Sequence, residues 1–188
     1  MIHILGVQFK AEQQRLDDEG FHKRSIAEVE NMSEFFMGKR KHIALIAHDR
    51  RKVDLLEWVR YNLGTLSNHT LYATGTTGKI LQERLGLDVH LFKSGPLGGD
   101  QQIGSKIAEG EIDCLIFFWD PLEPQAHDVD VKALLRIATL YNIPVAMNRS
   151  TADFIISSIL MASEYKRIMV DYEKQLQEVI KRAIESSE

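Results

Sequence analysis

The chain has little cysteine, no long apolar run and no excess of basic residues, and each absence excludes a class of protein. Among its 188 residues there is one cysteine, so an intrachain disulfide is impossible and the fold needs no oxidising compartment. No apolar run reaches transmembrane length, and the N-terminal MIHILGVQ is too short for a signal peptide. We therefore expect a cytoplasmic protein with no membrane partner.

The charge balance is mildly acidic, with a formal net charge of -4 at pH 7 and no basic stripe. This balance argues against a nucleic acid as the main partner. The lone cysteine, Cys114, lies within the apolar run CLIFF. It is either a catalytic thiol or a small core residue, and the apolar neighbours favour the core residue.

The first 40 residues differ from the rest of the chain. They are rich in Glu, Lys, Arg and Gln, and their apolar residues follow a helical spacing. We predict a helical N-terminal extension over 1–40, an accessory arm, and one α/β domain over 41–188. The apolar residues that carry the helical prediction are Ile26, Val29, Met32, Phe35 and Phe36.

From residue 42 onward, short apolar runs alternate with segments of helical period. This alternation predicts a single-domain three-layer sandwich, in which helices flank a mostly parallel five-stranded sheet. Ligands of such sheets bind at the carboxyl ends of the strands. The predicted strands are 42–47, 69–73, 88–92, 113–119 and 143–147, with a short apolar run at 167–170. The predicted helices are 49–63, 77–86, 101–109, 128–141, one from 150, and a last one over 171–185.

Two nucleotide-binding motifs are absent. In YATGTTGKI only two residues separate Gly75 from Gly78, and Ile80 follows Lys79, whereas a P-loop needs four residues between its glycines and Ser or Thr after the lysine. A dinucleotide-binding oxidoreductase would need G-x-G-x-x-G at the first strand–helix turn, but that turn reads AHDRRK. Lys79 is better explained as a solvent-facing helix residue.

Three predicted strand ends carry groups that suit one phosphate monoester. The segment TGTTG leads into a helix, whose first N–H groups and dipole favour an anion. A serine and a glycine open a similar loop after the third strand, and a lysine follows the first. Alternatively, these threonines, serines and glycines only cap helices and form turns, without binding a ligand. The candidate phosphate-binding residues are Lys52, Thr74, Gly75, Thr76, Thr77, Ser94 and Gly95.

Carboxylates and histidines also collect at these strand ends. The aspartates are Asp49, Asp100, Asp120 and, slightly further on, Asp130; the histidines are His48 and His127. They could cap helices, bind a metal ion, or act as acids and bases on a small phosphate ester. The excess of carboxylates and the lack of a closely spaced ligand pair favour acid–base chemistry.

The motifs together resemble those of the methylglyoxal synthase family. The resemblance runs from about Lys41 to Ser158, and GGDQQ and FFWDPL are its most specific parts. It implies a carbon–oxygen lyase that converts dihydroxyacetone phosphate into methylglyoxal and inorganic phosphate without a metal or organic cofactor. It also implies a cytoplasmic homohexamer that phosphate inhibits. The matching segments are AHDRRK, LYATGTTG, SGPLGGDQQIG, IDCLIFFWDPLEPQAHDVDVKALLR and NIPVAMNRSTADFII.

The resemblance also implies a role for each site residue. Asp100 in GGDQQ matches the catalytic base, and Asp49, Asp120 and Asp130 match supporting acidic residues. The residues matching substrate-binding positions are His48, Lys52, Thr74, Gly75, Thr76, Thr77, Ser94, Gly95 and His127.

Arg50 and Arg51 depart from some relatives and add positive charge near the predicted phosphate site. The alternative function is a non-catalytic domain of the same fold that senses a phosphate ligand. Retention of the acidic residues and of His127 favours the enzyme.

Overall fold

The structure is a computed structural model that describes residues 32–123 and 128–186. Of these, residues 34–169 form one compact unit, and the others belong to a second. In the second unit, the Ser33 hydroxyl donates a hydrogen bond to Asp171 (2.8 Å).

The described elements alternate between strand and helix for most of the chain, as predicted. Short 3-10 turns occur at Asp49–Arg51, Gly95–Leu97 and Ile159–Met161. In chain order the elements are β1 (Met32–Met37), β2 (His42–Ala47), α1 (Lys52–Tyr61), α2 (Leu63–Leu66), β3 (Thr70–Ala73), α3 (Gly75–Leu85), β4 (Val89–Leu91), α4 (Gly99–Ala108), β5 (Cys114–Phe118), α5 (Asp128–Leu140), β6 (Val145–Ala146), α6 (Arg149–Ser157), β7 (Tyr165–Val170) and α7 (Tyr172–Glu185).

Five strands form a parallel sheet in the order β4-β3-β2-β5-β6. The two central strands are almost wholly apolar, and every residue of β5 is buried, as expected for a strand covered on both faces. The register places Ala47 beside Phe118 and Ala73 beside Leu91. The carboxyl ends of β2, β3, β4 and β5 therefore meet at one edge, and the predicted fold class is confirmed.

Side chains of β2 alternate between two hydrophobic clusters, one on each face of the sheet. Ile43 and Leu45 pack with residues of α1, α3 and α6. Ala44 and Ile46 pack with residues of α4 and α5. Because a strand directs successive side chains to opposite faces, this alternation creates the three layers.

The predicted helix over residues 1–40 is wrong for residues 32–37, which form strand β1 and pair with β7. Contacts between the two strands explain the difference. The Arg167 guanidinium lies 5.6 Å from the centre of the Phe35 ring, and Lys166 forms an ion pair with Glu34. The rest of that predicted arm lies outside the described residues, and the domain boundary at residue 40 stays a prediction.

Cys114 lies in β5 with only 1% of its surface exposed, so it is a core residue. Burial raises the pKa of its thiol to about 12. The thiolate that nucleophilic catalysis requires is therefore scarce at neutral pH. Among the described helices, none has both the length and the apolar character needed to cross a membrane.

Candidate active site

A cavity of about 190 Å³ opens at the carboxyl ends of β2, β3 and β4. It contains most of the residues that the sequence predicts for a phosphate site, together with the predicted base. Its lining residues are Ile46, Ala47, His48, Asp49, Lys52, Thr74, Thr76, Thr77, Ser94, Gly95, Pro96, Asp100 and Phe117.

The threonine turn, residues 74–77, forms one wall of the cavity. Thr74 precedes α3, and the hydroxyl groups of Thr74 and Thr77 are buried and lie 3.3 Å apart. The first N–H groups of a helix have no carbonyl partner within that helix. Those of Thr76 and Thr77 therefore suit an anion in the cavity, and the helix dipole favours the same charge.

The Gly75 N–H makes a hydrogen bond within the chain, so its predicted place in the phosphate site stays a prediction. Its N–H donates to the Lys93 carbonyl at 3.1 Å, and Gly75 is not among the residues that line the cavity. A Cβ at this position would lie 3.0 Å from the Phe92 carbonyl oxygen and 3.2 Å from the Ser94 nitrogen. The glycine lets the threonine turn approach the next strand end closely.

The serine loop, residues 93–99, forms the second wall. The Ser94 carbonyl accepts hydrogen bonds from the N–H groups of Leu97 (2.9 Å) and Gly99 (3.1 Å), which fold the loop back toward α4. Gly98 has a φ of 89°, a conformation that favours glycine. The turn therefore holds Ser94 and Gly95 at the cavity wall.

Lys52 begins α1 and supplies a cation at the third wall. It forms an ion pair with Asp49, whose side chain is 84% exposed against 16% for the lysine. The ammonium group thus lies largely inside the site, while its carboxylate partner faces solvent. A phosphate that enters the cavity could therefore replace Asp49 as the partner of Lys52, because water can solvate the exposed carboxylate.

The two arginines between Asp49 and Lys52 have acidic partners. Arg50 pairs with Glu123 at 3.3 Å, and Arg51 pairs with Asp54 at 2.9 Å. Their charge is therefore partly balanced before any phosphate arrives. Lys79 is exposed on α3 and does not line the cavity, as predicted.

Asp100 is the buried carboxylate of the cavity, with 2% of its surface exposed. It is the second residue of α4, so the N-terminal end of the helix dipole favours its negative charge. A carboxylate in a confined cavity beside phosphate-binding groups is suitably placed to remove a proton from a bound phosphate ester.

His48 follows β2 and is also buried in the cavity wall. Its Nδ1 accepts a hydrogen bond from the Asp120 backbone N–H at 3.3 Å, and the Phe117 ring packs edge-on against it, with 5.1 Å between ring centres. When Nδ1 accepts, a neutral imidazole carries its proton on Nε2. That tautomer places the donor of the His48 ring at Nε2.

Comparisons with known proteins identify the family of this chain. Residues 54–147 match the family model of the MGS-like domain. A methylglyoxal synthase from Leptospira interrogans is 60% identical over 141 residues, which cover 75% of this chain and 95% of the relative. The chain belongs to the methylglyoxal synthase family.

Other members of the methylglyoxal synthase family match over a similar extent. The relative from Yersinia enterocolitica is 58% identical over 142 residues, which are 76% of this chain and 93% of that protein. The crystal structure of methylglyoxal synthase from Elizabethkingia anophelis matches with a TM-score of 0.73 and 52% identity. That match covers 77% of this chain and 95% of the solved one.

Two acidic residues that the family resemblance singles out lie outside the cavity lining. The Asp120 carboxylate accepts from the Leu122 N–H at 3.1 Å, while its backbone N–H holds His48. Asp130 accepts from the Gln101 side chain at 2.9 Å. Both therefore act on neighbouring residues in this structure, and His127 lies outside the described residues.

Some lining residues were not predicted from the sequence. Phe117 is the main one, since it touches His48 and lines the cavity with Asp100. Its position in an apolar strand gave no sign of this role. The alternation of β5 could have indicated only which face Phe117 shares with Leu115.

A metal site is the remaining alternative for the histidines and aspartates. Within the part of the chain that the structure describes, no three His, Cys, Asp or Glu side chains are grouped closely enough to hold a metal ion. Because His127 is outside that part, chelation provides the direct test of this alternative.

Proposed function

We propose that this chain converts dihydroxyacetone phosphate into methylglyoxal and inorganic phosphate. One observation carries the proposal: the buried carboxylate of Asp100 shares a single cavity with the threonine turn, Ser94 and Lys52. Relatives named methylglyoxal synthase are 58–60% identical to this chain over the 141–142 matched residues, which supports the same reaction.

The first step removes a proton from the hydroxymethyl carbon, next to the ketone. That proton is weakly acidic, so the reaction needs a base close to the carbon and a group that polarises the carbonyl oxygen. Asp100 is the base in our proposal. By the family resemblance, His127 is either the group that polarises the carbonyl oxygen or the one that moves a proton between the two oxygens of the enediolate.

The second step expels phosphate. An electron pair of the enediolate forms the aldehyde carbonyl, the double bond shifts, and the carbon–oxygen bond to phosphate breaks. The products are phosphate and the enol of methylglyoxal, which then tautomerises. The bond that breaks must stand roughly perpendicular to the enediolate plane, where it overlaps the π electrons.

The phosphate-binding walls set this orientation in our proposal. The threonine turn, Ser94 and Lys52 surround the phosphate from three strand ends and stabilise its charge as it leaves. Triosephosphate isomerase acts on the same substrate and also uses a carboxylate and a histidine. Orientation of the phosphate therefore decides between isomerisation and elimination.

Three further proposals rest on the family resemblance: a cytoplasmic location, a homohexamer, and inhibition by inorganic phosphate. The phosphate-binding groups of the cavity support the last of these, since phosphate is both a product and a fragment of the substrate. We propose no organic cofactor, and no nucleic-acid partner.

The proposal is tested by incubating the purified chain with dihydroxyacetone phosphate and measuring phosphate and methylglyoxal together. We expect the two products to appear in equal amounts. Glyceraldehyde 3-phosphate as the main product would instead indicate an isomerase. Phosphate binding without turnover would favour the non-catalytic sensor.

Chelation should leave this activity unchanged. Asp100 and a histidine supply the acid–base chemistry, so the proposed mechanism requires no Lewis acid. We expect enzyme dialysed against EDTA to keep its kcat within about twofold, as measured by methylglyoxal formation, because general acid–base catalysis needs no metal ion. Loss of activity that zinc or magnesium restores would revive the metal site.

A further inference from the structure

The backbone of Lys93 joins the three parts of the candidate site. Its carbonyl accepts from the Gly75 N–H of the threonine turn at 3.1 Å, and its own N–H donates to the Gln102 side-chain oxygen at 2.8 Å. Gln102 lies on α4, two residues after Asp100. One peptide segment therefore links the phosphate-binding turn, the serine loop and the helix of the base.

The approach of α4 to this segment is close. A Cβ at Gly99 would lie 1.9 Å from the Lys93 carbonyl oxygen, so only a glycine allows the observed distance. Steric contact thus limits how near the loop can come to the helix. A steric contact does not prevent the loop from moving away from α4. Only an attractive interaction can restrain the loop in that direction.

We propose that Gln102 is a positioning residue that holds the serine loop at a fixed distance from the catalytic base. It acts through Lys93, the residue immediately before Ser94, and is not itself among the residues that line the cavity. This inference rests on the proposed function, in which the loop binds the phosphate of the substrate.

The chemistry of glutamine suits this task. Its amide oxygen accepts the Lys93 N–H while adding no charge beside a phosphate site. Gln102 is exposed, so water can replace the hydrogen bond when the side chain is removed. We therefore expect its loss to affect the position of the loop more than the stability of the fold.

Gln82 provides a matched control at the other end of β4. Its side-chain N–H donates to the Val89 carbonyl at 2.9 Å, so it too links a helix to the strand that leads into the loop. Gln82 does not line the cavity. The substitutions Gln102→Leu and Gln82→Leu each remove one hydrogen bond between a glutamine side chain and the backbone, one beside the serine loop and one at the far end of the strand.

The experiment compares these two variants with the unmodified chain. For Gln102→Leu we expect the dissociation constant of inorganic phosphate, measured by calorimetry, to rise about fivefold, which corresponds to the loss of one hydrogen bond. We expect kcat/KM for dihydroxyacetone phosphate to fall about five- to tenfold. Gln82→Leu should leave both quantities within about twofold of the unmodified values.

Hydrogen exchange of the Lys93 amide gives a direct structural reading. It should become faster in Gln102→Leu, and slow again in Gln102→Glu, which retains an acceptor oxygen at this position. Unchanged phosphate affinity in Gln102→Leu would overturn the inference, as would equal losses of affinity in both leucine variants.

The two proposals fail in different ways. If the unmodified chain forms no methylglyoxal, the proposed function is wrong, while phosphate calorimetry and amide exchange still report on Gln102. If the unmodified chain is active and Gln102→Leu matches it in phosphate affinity and amide exchange, only the role of Gln102 is wrong.

Discussion

Asp100→Asn should lower kcat for methylglyoxal formation by about three orders of magnitude, the middle of the range for loss of a general base. The amide is nearly the same size as the carboxylate but cannot accept the proton. Because the threonine turn, Ser94 and Lys52 remain, the dissociation constant of inorganic phosphate should change little. The measurement is kcat from methylglyoxal formation, with phosphate affinity from calorimetry.

Asp54→Asn is the matched control for this substitution. Asp54 also lies in the first turn of a helix, α1, and pairs with Arg51 outside the cavity lining. Both variants remove a carboxylate from the N-terminal end of a helix dipole, which alone affects stability only modestly. Near-normal turnover of Asp100→Asn, or an equal loss in Asp54→Asn, would remove Asp100 as the base.

The position of the candidate site followed from the sequence because parallel sheets have simple rules. The apolar run CLIFF suited a central parallel strand buried on both faces, and strand β5 does lie beside β2 near the middle of the sheet. Once the strands are placed, their carboxyl ends must share an edge. His48, Thr74 and Ser94 each follow a strand directly or within three residues, so their meeting was predictable.

The details that depend on long-range pairing were not predictable. Residues 32–37 have a helical spacing of apolar groups, yet they pair with β7, more than 120 positions further along the chain. No local pattern indicates that partner. The same limit applies to the Gly75 N–H. Its hydrogen bond to the Lys93 carbonyl depends on the neighbouring strand end and not on the TGTTG motif.

The functions of the two glutamines in GGDQQ illustrate the difference between a motif and its geometry. The motif indicated the family and predicted Asp100 as the base, but it gave no separate role for either glutamine. The structure directs Gln101 to Asp130 and Gln102 to the Lys93 backbone, because residues one apart on a helix point in different directions. Side-chain direction therefore adds what the family resemblance lacks.

Gly99→Ala should have the second largest effect on activity. It would act by displacing the backbone and would remove no catalytic side chain. The added Cβ would lie 1.9 Å from the Lys93 carbonyl oxygen and 2.8 Å from its carbon, so either α4 or the serine loop must move. We expect kcat/KM to fall about 100-fold, since a displacement near 1 Å can misalign the reacting groups to that extent. The free energy of unfolding should fall by about 1–3 kcal/mol because of the overpacking.

Gly104→Ala tests the same substitution in the same helix with the opposite expectation. Its Cβ would meet only the Leu134 side chain, at 3.9 Å, which is an ordinary contact. Alanine is favoured over glycine within a helix by roughly 0.5–1 kcal/mol, so this variant should be slightly more stable and fully active. Denaturant unfolding and methylglyoxal formation measure both variants. If Gly99→Ala proved as active and stable as Gly104→Ala, close contact with Lys93 could not be what fixes the base relative to the phosphate.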